Sequence, residues 1–245
     1  MMMFNGVNVR ISPSAIIGQN VKIGDGTVIH DNVVIGDNCI ICNDCVIGEP
    51  LAAFYNDLDY SNPKTVIGDN ALIRSHSIIY ANNSMGTHFE TGHRIIIRER
   101  TQIGNHCRIG SMSDLQGDLI LGDYCQLHSS VHLCKNSRLG NFVFMYPFSL
   151  LANDKYPPTT EIYGPVIEDY TQIGAHASII SFVKVGKHCL IAANSTVTKN
   201  FEDYSFLAGS PAIRKSDIRE LKDENGTPLY PWKERFSRGM PWECA

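Results

Sequence analysis

Residues 81–94, ANNSMGTHFETGHR, gather two histidines, a glutamate and several amide and hydroxyl side chains, with Gly86 and Gly92 giving backbone freedom. Imidazole titrates near neutrality, which suits it to take a proton from a nucleophile at physiological pH. His93 is therefore the first candidate for a general base. Glu90 lies three residues earlier, where a carboxylate can orient that imidazole or hold a substrate ammonium, and Asn83 and Ser84 are candidate substrate contacts. A second polar knot, Leu127-His128-Ser129-Ser130-Val131-His132, places Ser129 thirty-six residues after His93. A third polar stretch starts at Asn153-Asp154 and runs through a Pro-rich segment to Pro165.

The elements that must position these residues follow from a period of six. Isoleucine recurs at Ile11, Ile17, Ile23, Ile29, Ile35, Ile41 and Ile47, often followed by glycine. The register resumes at Ile67 and Ile97 and, after a shift, at Ile167, running to Val197; only Thr91 departs from the aliphatic rule. Four residues after each aliphatic stands a small or modest side chain, such as Val21, Cys39, Ser77, Thr101 or Cys125. Two inward positions per hexapeptide describe a parallel β-helix in which three short strands close a coil of about 18 residues and coils stack at about 4.8 Å. No coil buries its inward residues alone, so stability comes from stacking and the ends need caps. His93 and Ser129 then lie two coils apart on one edge, about 9.6 Å.

The repeat also bears on the cysteines and the other histidines. Cys39-x2-Cys42-x2-Cys45 imitates part of a cluster-ligand run, yet Cys39, Cys45, Cys107, Cys125 and Cys189 fall in the small inward slot and read as core thiols. His76, His106, His176 and His188 occupy the third residue after an aliphatic and read as structural turn residues. No metal site is expected: a zinc held by stacked histidines would need partners at positions 52 and 57, which are Ala52 and Asp57.

Two insertions break the register, residues 49–66 and 152–165, and function in a solenoid tends to sit at such breaks. Past Val197, Ser216 is expected to cap a short helix through Ile218, Leu221 and Lys222. The division expected is a β-helix over 1–200 and a turn, helix and capping tail over 201–245, with Trp232 and Trp242 in the tail.

The 245 residues carry 21 Lys+Arg against 25 Asp+Glu, a net charge of -4 without a basic run, so nucleic acid is not an expected partner. The N-terminus has no secretory pattern, no apolar stretch has spanning length, and a cytoplasmic protein with reduced thiols is expected.

The hexapeptide runs, together with Ile173-Gly174-Ala175-His176-Ala177-Ser178-Ile179, Ile191-Ala192-Ala193-Asn194-Ser195-Thr196-Val197 and the closing Ala208-Gly209-Ser210-Pro211-Ala212, resemble the left-handed β-helix acyl-CoA transferases. The resemblance covers about residues 11–215 and implies the left hand, a homotrimer and an acetyl-CoA or other short-chain acyl-CoA co-substrate in a groove between subunits. Within that family, Asn153-Asp154 and Thr91-Gly92-His93-Arg94 look like the nucleotide-sugar N-acyltransferase branch, in which an Asn before a Pro-containing loop contacts the sugar nucleotide. The resemblance implies acyl transfer to the amine of a nucleotide-linked deoxyamino sugar. Transfer to a sugar hydroxyl and a non-enzymatic scaffold remain the alternatives. Cofactor contacts are expected around Ala175, Ser178, Ala192 and Ala193, with Arg214 and Lys215 meeting the phosphates.

Overall fold

A computed structural model describes residues 4–231. Each coil contributes one short strand to each of three parallel sheets, as Arg10–Ile11, Ile16–Ile17 and Lys22–Ile23 do in the first coil. The sheets hold 10, 9 and 11 strands. Outside the insertions pairing advances 18 residues per coil, Ile11 to Ile29 and Ile96 to Asp114, so the inward residue of each hexapeptide stacks in the same column. The chain is thus an all-β solenoid of hexapeptide repeats, with three sheets meeting at three corners.

The inward slots behave as strand geometry demands. Ile29, Ile35, Ile41, Ile47, Ile67, Ile73 and Ile79 are buried, and so is Thr91, whose Oγ1 accepts the Arg74 backbone N–H at 2.9 Å. The second inward slot carries a further requirement, because a turn carbonyl beside it must be satisfied. Cys39, Cys107 and Cys125 donate Sγ–H to the carbonyls of Gly68, Gly122 and Gly140 at 3.1–3.2 Å, and Thr27 and Thr171 donate Oγ1–H in the same way at 2.8 Å. A small donor fits there, which accounts for the Cys, Ser and Thr in the repeat.

Each corner turn places one residue in the left-handed region, a conformation for which Asn, Asp and His are enriched. Asn20, Asn38, Asn70, His88 and His106 are examples, with φ between +56° and +59°. At the corner between the second and third sheets, this slot builds a ladder of parallel rings. His88, His106, Tyr124, Phe142, Tyr170, His188 and Tyr204 stack in sequence with centroids 4.4–5.0 Å apart and planes within 8°.

Both insertions leave from the corner between the first and second sheets. The earlier one carries a 3₁₀ turn, Ala52–Tyr55, and is anchored by buried Asn62, whose Nδ2 donates to the Gly48 carbonyl at 2.8 Å. The expected C-terminal helix is not formed. Ser216 lies instead in the strand Ala212–Asp217, paired antiparallel with Ser205–Gly209, and only a 3₁₀ turn, Ile218–Glu220, follows, capped by Asp217. The hairpin ties up the backbone that a helix would have used. Trp232 and Trp242 lie outside the described residues. Among the described residues no helix is long and apolar enough to cross a membrane.

Candidate active site

A cleft of ≈340 Å³ opens where the third sheet turns into the first, and it is lined by His93, Ser111, His128, Ser129, Arg74 and Arg108, among others. Its floor is a column of residues following the inward aliphatic: Arg74, Gly92, Gly110 and His128. The two glycines let the next coil approach closely, since a Cβ on Gly92 would collide with the Ser111 backbone nitrogen and one on Gly110 with the His128 carbonyl carbon. Arg74 and His128 close the column at either end, three coil steps or about 14 Å apart.

The adjoining corner column holds His93, Ser111, Ser129, Pro147 and Ala175. Backbone hydrogen bonds fix this stacking: the carbonyls of His93, Ser111, Pro147 and Ala175 accept from Met112, Ser130, His176 and Asn194 at 2.9–3.0 Å. The His93 imidazole is exposed, and its backbone N–H donates to Ser111 Oγ at 2.9 Å. Ser129 donates its backbone N–H to Nδ1 of His128 at 2.8 Å. The structure thus brings His93 and Ser129 to one cleft and adds Ser111 and His128. Counting 18 residues from His93 in the sequence would have found Ser111.

Glu90 is near the cleft but is engaged elsewhere. Its Oε1 accepts from Arg74 Nη2 at 2.7 Å and its Oε2 lies 3.9 Å from Arg108 Nε. The carboxylate positions two guanidiniums. Met85 and Phe89, between these residues in sequence, are core side chains.

The substrate candidates Asn83 and Ser84 stand at a different corner, between the first and second sheets, beside a cleft of ≈460 Å³ that also includes Lys64 and Arg100. Asn83 occupies the second inward slot and is buried. Its amide donates to the Tyr80 carbonyl at 2.9 Å and accepts from the Thr101 N–H at 2.7 Å, so its polar atoms serve the coil. Ser84 is exposed on the adjoining strand. Asn153 and Asp154 share this corner, farther along the axis. The Asn153 carbonyl accepts from Tyr163 N at 2.9 Å, and the Asp154 carboxylate accepts from Thr159 N at 2.8 Å and Tyr156 N at 3.0 Å. The Thr159 backbone bond is the main reason that the Asp154 carboxyl is held below the usual range.

The cofactor candidates split among three places. Ala175 and Ala193 continue the His93 column, and Ala192 follows Tyr146 and Gly174 in the file of Arg74 and His128, outside the cleft. Ser178 lies in the first sheet, paired between Leu150 and Thr196. Arg214 and Lys215 are exposed on the final strand, with Arg214 Nη2 3.3 Å from Asp217 Oδ2.

A sequence profile of the bacterial transferase hexapeptide (six repeats) matches residues 8–49 and 164–199. The chain is similar to the bifunctional protein GlmU of Prochlorococcus marinus (strain MIT 9211), 26% identical over 63% of this chain and 32% of the relative. It is also similar to the 2,3,4,5-tetrahydropyridine-2,6-dicarboxylate N-acetyltransferase of Ligilactobacillus salivarius (strain UCC118), 38% identical over 24% of this chain and 25% of the relative. The chain therefore spans a third or less of the length of these curated relatives. Among solved structures, a UDP-N-acetylglucosamine acyltransferase superposes with a TM-score of 0.54 at 22% identity, covering 95% of this chain and 83% of the other, a likeness of fold. By repeat and by fold the chain is an all-β solenoid of hexapeptide repeats.

Proposed function

We propose that this chain moves an acyl group, acetyl or another short one, from coenzyme A to the amine of a nucleotide-linked deoxyamino sugar destined for surface polysaccharide. The observation that carries the reading is the single corner column running from His93 and Ser129 to Ala175 and Ala193. His93 takes the ammonium-derived proton at one end, while the other end offers a strip without bulky side chains. From His93 to Ala175 is four coil steps, about 19 Å, a reach suited to an extended pantetheine arm.

The residues at the far end fit a coenzyme A arm by shape. Ala175, Ala192 and Ala193 present nothing larger than a methyl group, and Lys215 and Arg214 stand beyond them to meet phosphates. Asp217 holds Arg214, so Lys215 is the readier cation. Bound there, the thioester supplies the activated carbonyl. The chain supplies alignment and a proton acceptor, which is most of what an amine nucleophile requires. Asn153 and Ser84, at another corner of the prism, contact the sugar nucleotide only if a second copy brings that corner to the cleft, as in the homotrimer that we propose.

A thiol-release assay tests this. Acetyl-CoA is offered with dTDP- and UDP-linked 3-amino and 4-amino sugars, with the matching hydroxy sugars as controls. Release with an amino sugar alone is the expected result. Release with hydroxy sugars alone replaces N-acylation by O-acylation, and silence with acetyl and longer acyl-CoAs favours a scaffold.

A further inference from the structure

His128 belongs to the second polar knot, and its hydrogen bond gives it a defined chemical state. A backbone N–H can only donate, so the 2.8 Å contact from Ser129 N obliges His128 Nδ1 to present its lone pair. The neutral ring therefore carries its proton on Nε2, at the far side of the imidazole. That ring is exposed and lines the cleft that His93 lines. Gly92 and Gly110 add no side chain to the floor between them, and Ser111 stands one coil step from His93 and from Ser129 along the corner column.

We infer that His128 is the hydrogen-bond donor, through Nε2–H, to the oxygen of the thioester carbonyl as negative charge develops on it. This rests on the acyl-transfer reading above. In the step, the acceptor nitrogen forms a bond to the carbonyl carbon and the π pair moves onto oxygen, where Nε2–H of His128 meets it without giving up its proton. His93 takes the proton from the nitrogen. The carbon–sulfur bond then breaks, and the departing thiolate receives that proton, leaving amide and thiol. The division of labour follows from environment: among the described residues the His93 ring makes no hydrogen bond and is available as an acceptor, whereas the Nδ1 of His128 is committed. A donor of fixed tautomer needs no reorganisation during the reaction, the condition under which such donors matter most.

Two substitutions separate this role from a structural one. His128→Asn places an amide oxygen near the position of Nδ1, retaining an acceptor for the Ser129 N–H but losing the remote donor. His128→Gln places an N–H near the position of Nε2. We expect His128→Asn to lower kcat by about a hundredfold, the size typical of a lost oxyanion donor, with KM for acyl-CoA nearly unchanged. His128→Gln is expected to recover about tenfold of that loss. A residue that merely held the loop gives the reverse order, Asn near wild type and Gln impaired, and that order overturns the assignment. Long-range ¹H–¹⁵N correlation on the whole chain supplies a readout independent of activity. The resonances lost in His128→Gln are expected to show the proton on Nε2, and a proton on Nδ1 overturns the inference. A wild-type chain inactive with every acceptor overturns acyl transfer itself and the donor role with it, whereas an active chain indifferent to His128→Asn overturns the donor role alone.

Discussion

His93 stands on an exposed corner, and its structural contribution passes through its backbone, to Ser111 and Met112. His93→Asn keeps that backbone, so its effect on thermal unfolding is expected within about 0.5 kcal/mol, as for a surface substitution. Turnover is expected to fall at least about tenfold, a modest figure for a lost general base. Unchanged turnover in steady-state kinetics would leave positioning alone to account for the reaction. The cysteines make the opposite case, a reactive residue type made inert by its slot. Burial pushes the thiols of Cys45 and Cys189 up to about 11, and each donates to a turn carbonyl. Since the thiolate is the nucleophile, iodoacetamide at pH 8 is expected to leave both unmodified in the folded chain and to label them once it is denatured, as mass spectrometry can read.

At the scale of the element, the hexapeptide's second inward slot sets both a volume and a donor. Cys125 fills it with no exposed surface and bonds the Gly140 carbonyl at 3.1 Å. Cys125→Leu overpacks the coil and loses the donor, and is expected to cost about 1–3 kcal/mol in chemical denaturation, while Cys125→Ser keeps the donor and costs less. The ring ladder adds a pH dependence. Burial is the leading cause that lowers the pKa of His106 and His188 from the ordinary 6.5. The native state then binds fewer protons than the unfolded chain, so this stability is full above about pH 6.5 and is lost as pH falls through the lowered values. His188→Phe keeps a ring in the stack, and its melting temperature is expected to fall less than that of wild type between pH 7.5 and 5; an equal or larger fall counts against the ladder. These slots were legible in the sequence because each repeats every six residues. The count placed Thr91 inward despite its polarity, and the same count could have placed Asn83, four residues after Ile79. The pairing of Glu90 with Arg74 and Arg108 was obscure because the fork geometry depends on side chains from three coils. The C-terminal helix failed for a different reason: Ile218, Leu221 and Lys222 have helical spacing, but strand pairing with Ser205–Gly209 is a tertiary effect that spacing does not report.

For the whole molecule, the decisive geometry is that the proposed base and the proposed nucleotide contact belong to opposite edges of the first sheet. His93 stands where the third sheet turns into the first, and Asn153 where the first turns into the second, about three coils or 14 Å farther along the axis. One chain does not bring them to one acceptor, whereas a ring of copies can set the second corner of one against the cleft of its neighbour. Light scattering is then expected to find a particle three times the 27.2 kDa of one chain. Subunit mixing tests the consequence more sharply. His93→Asn and Asn153→Ala are each expected to be nearly inactive alone, because every interface lacks one group. Unfolded together in equal amounts and refolded, they assemble at random, and about one interface in four joins a native His93 to a native Asn153 across the cyclic contact. Activity recovered to about a quarter of wild type would establish a site shared between chains, and no recovery from well-formed oligomers would confine the two residues to separate roles on one chain.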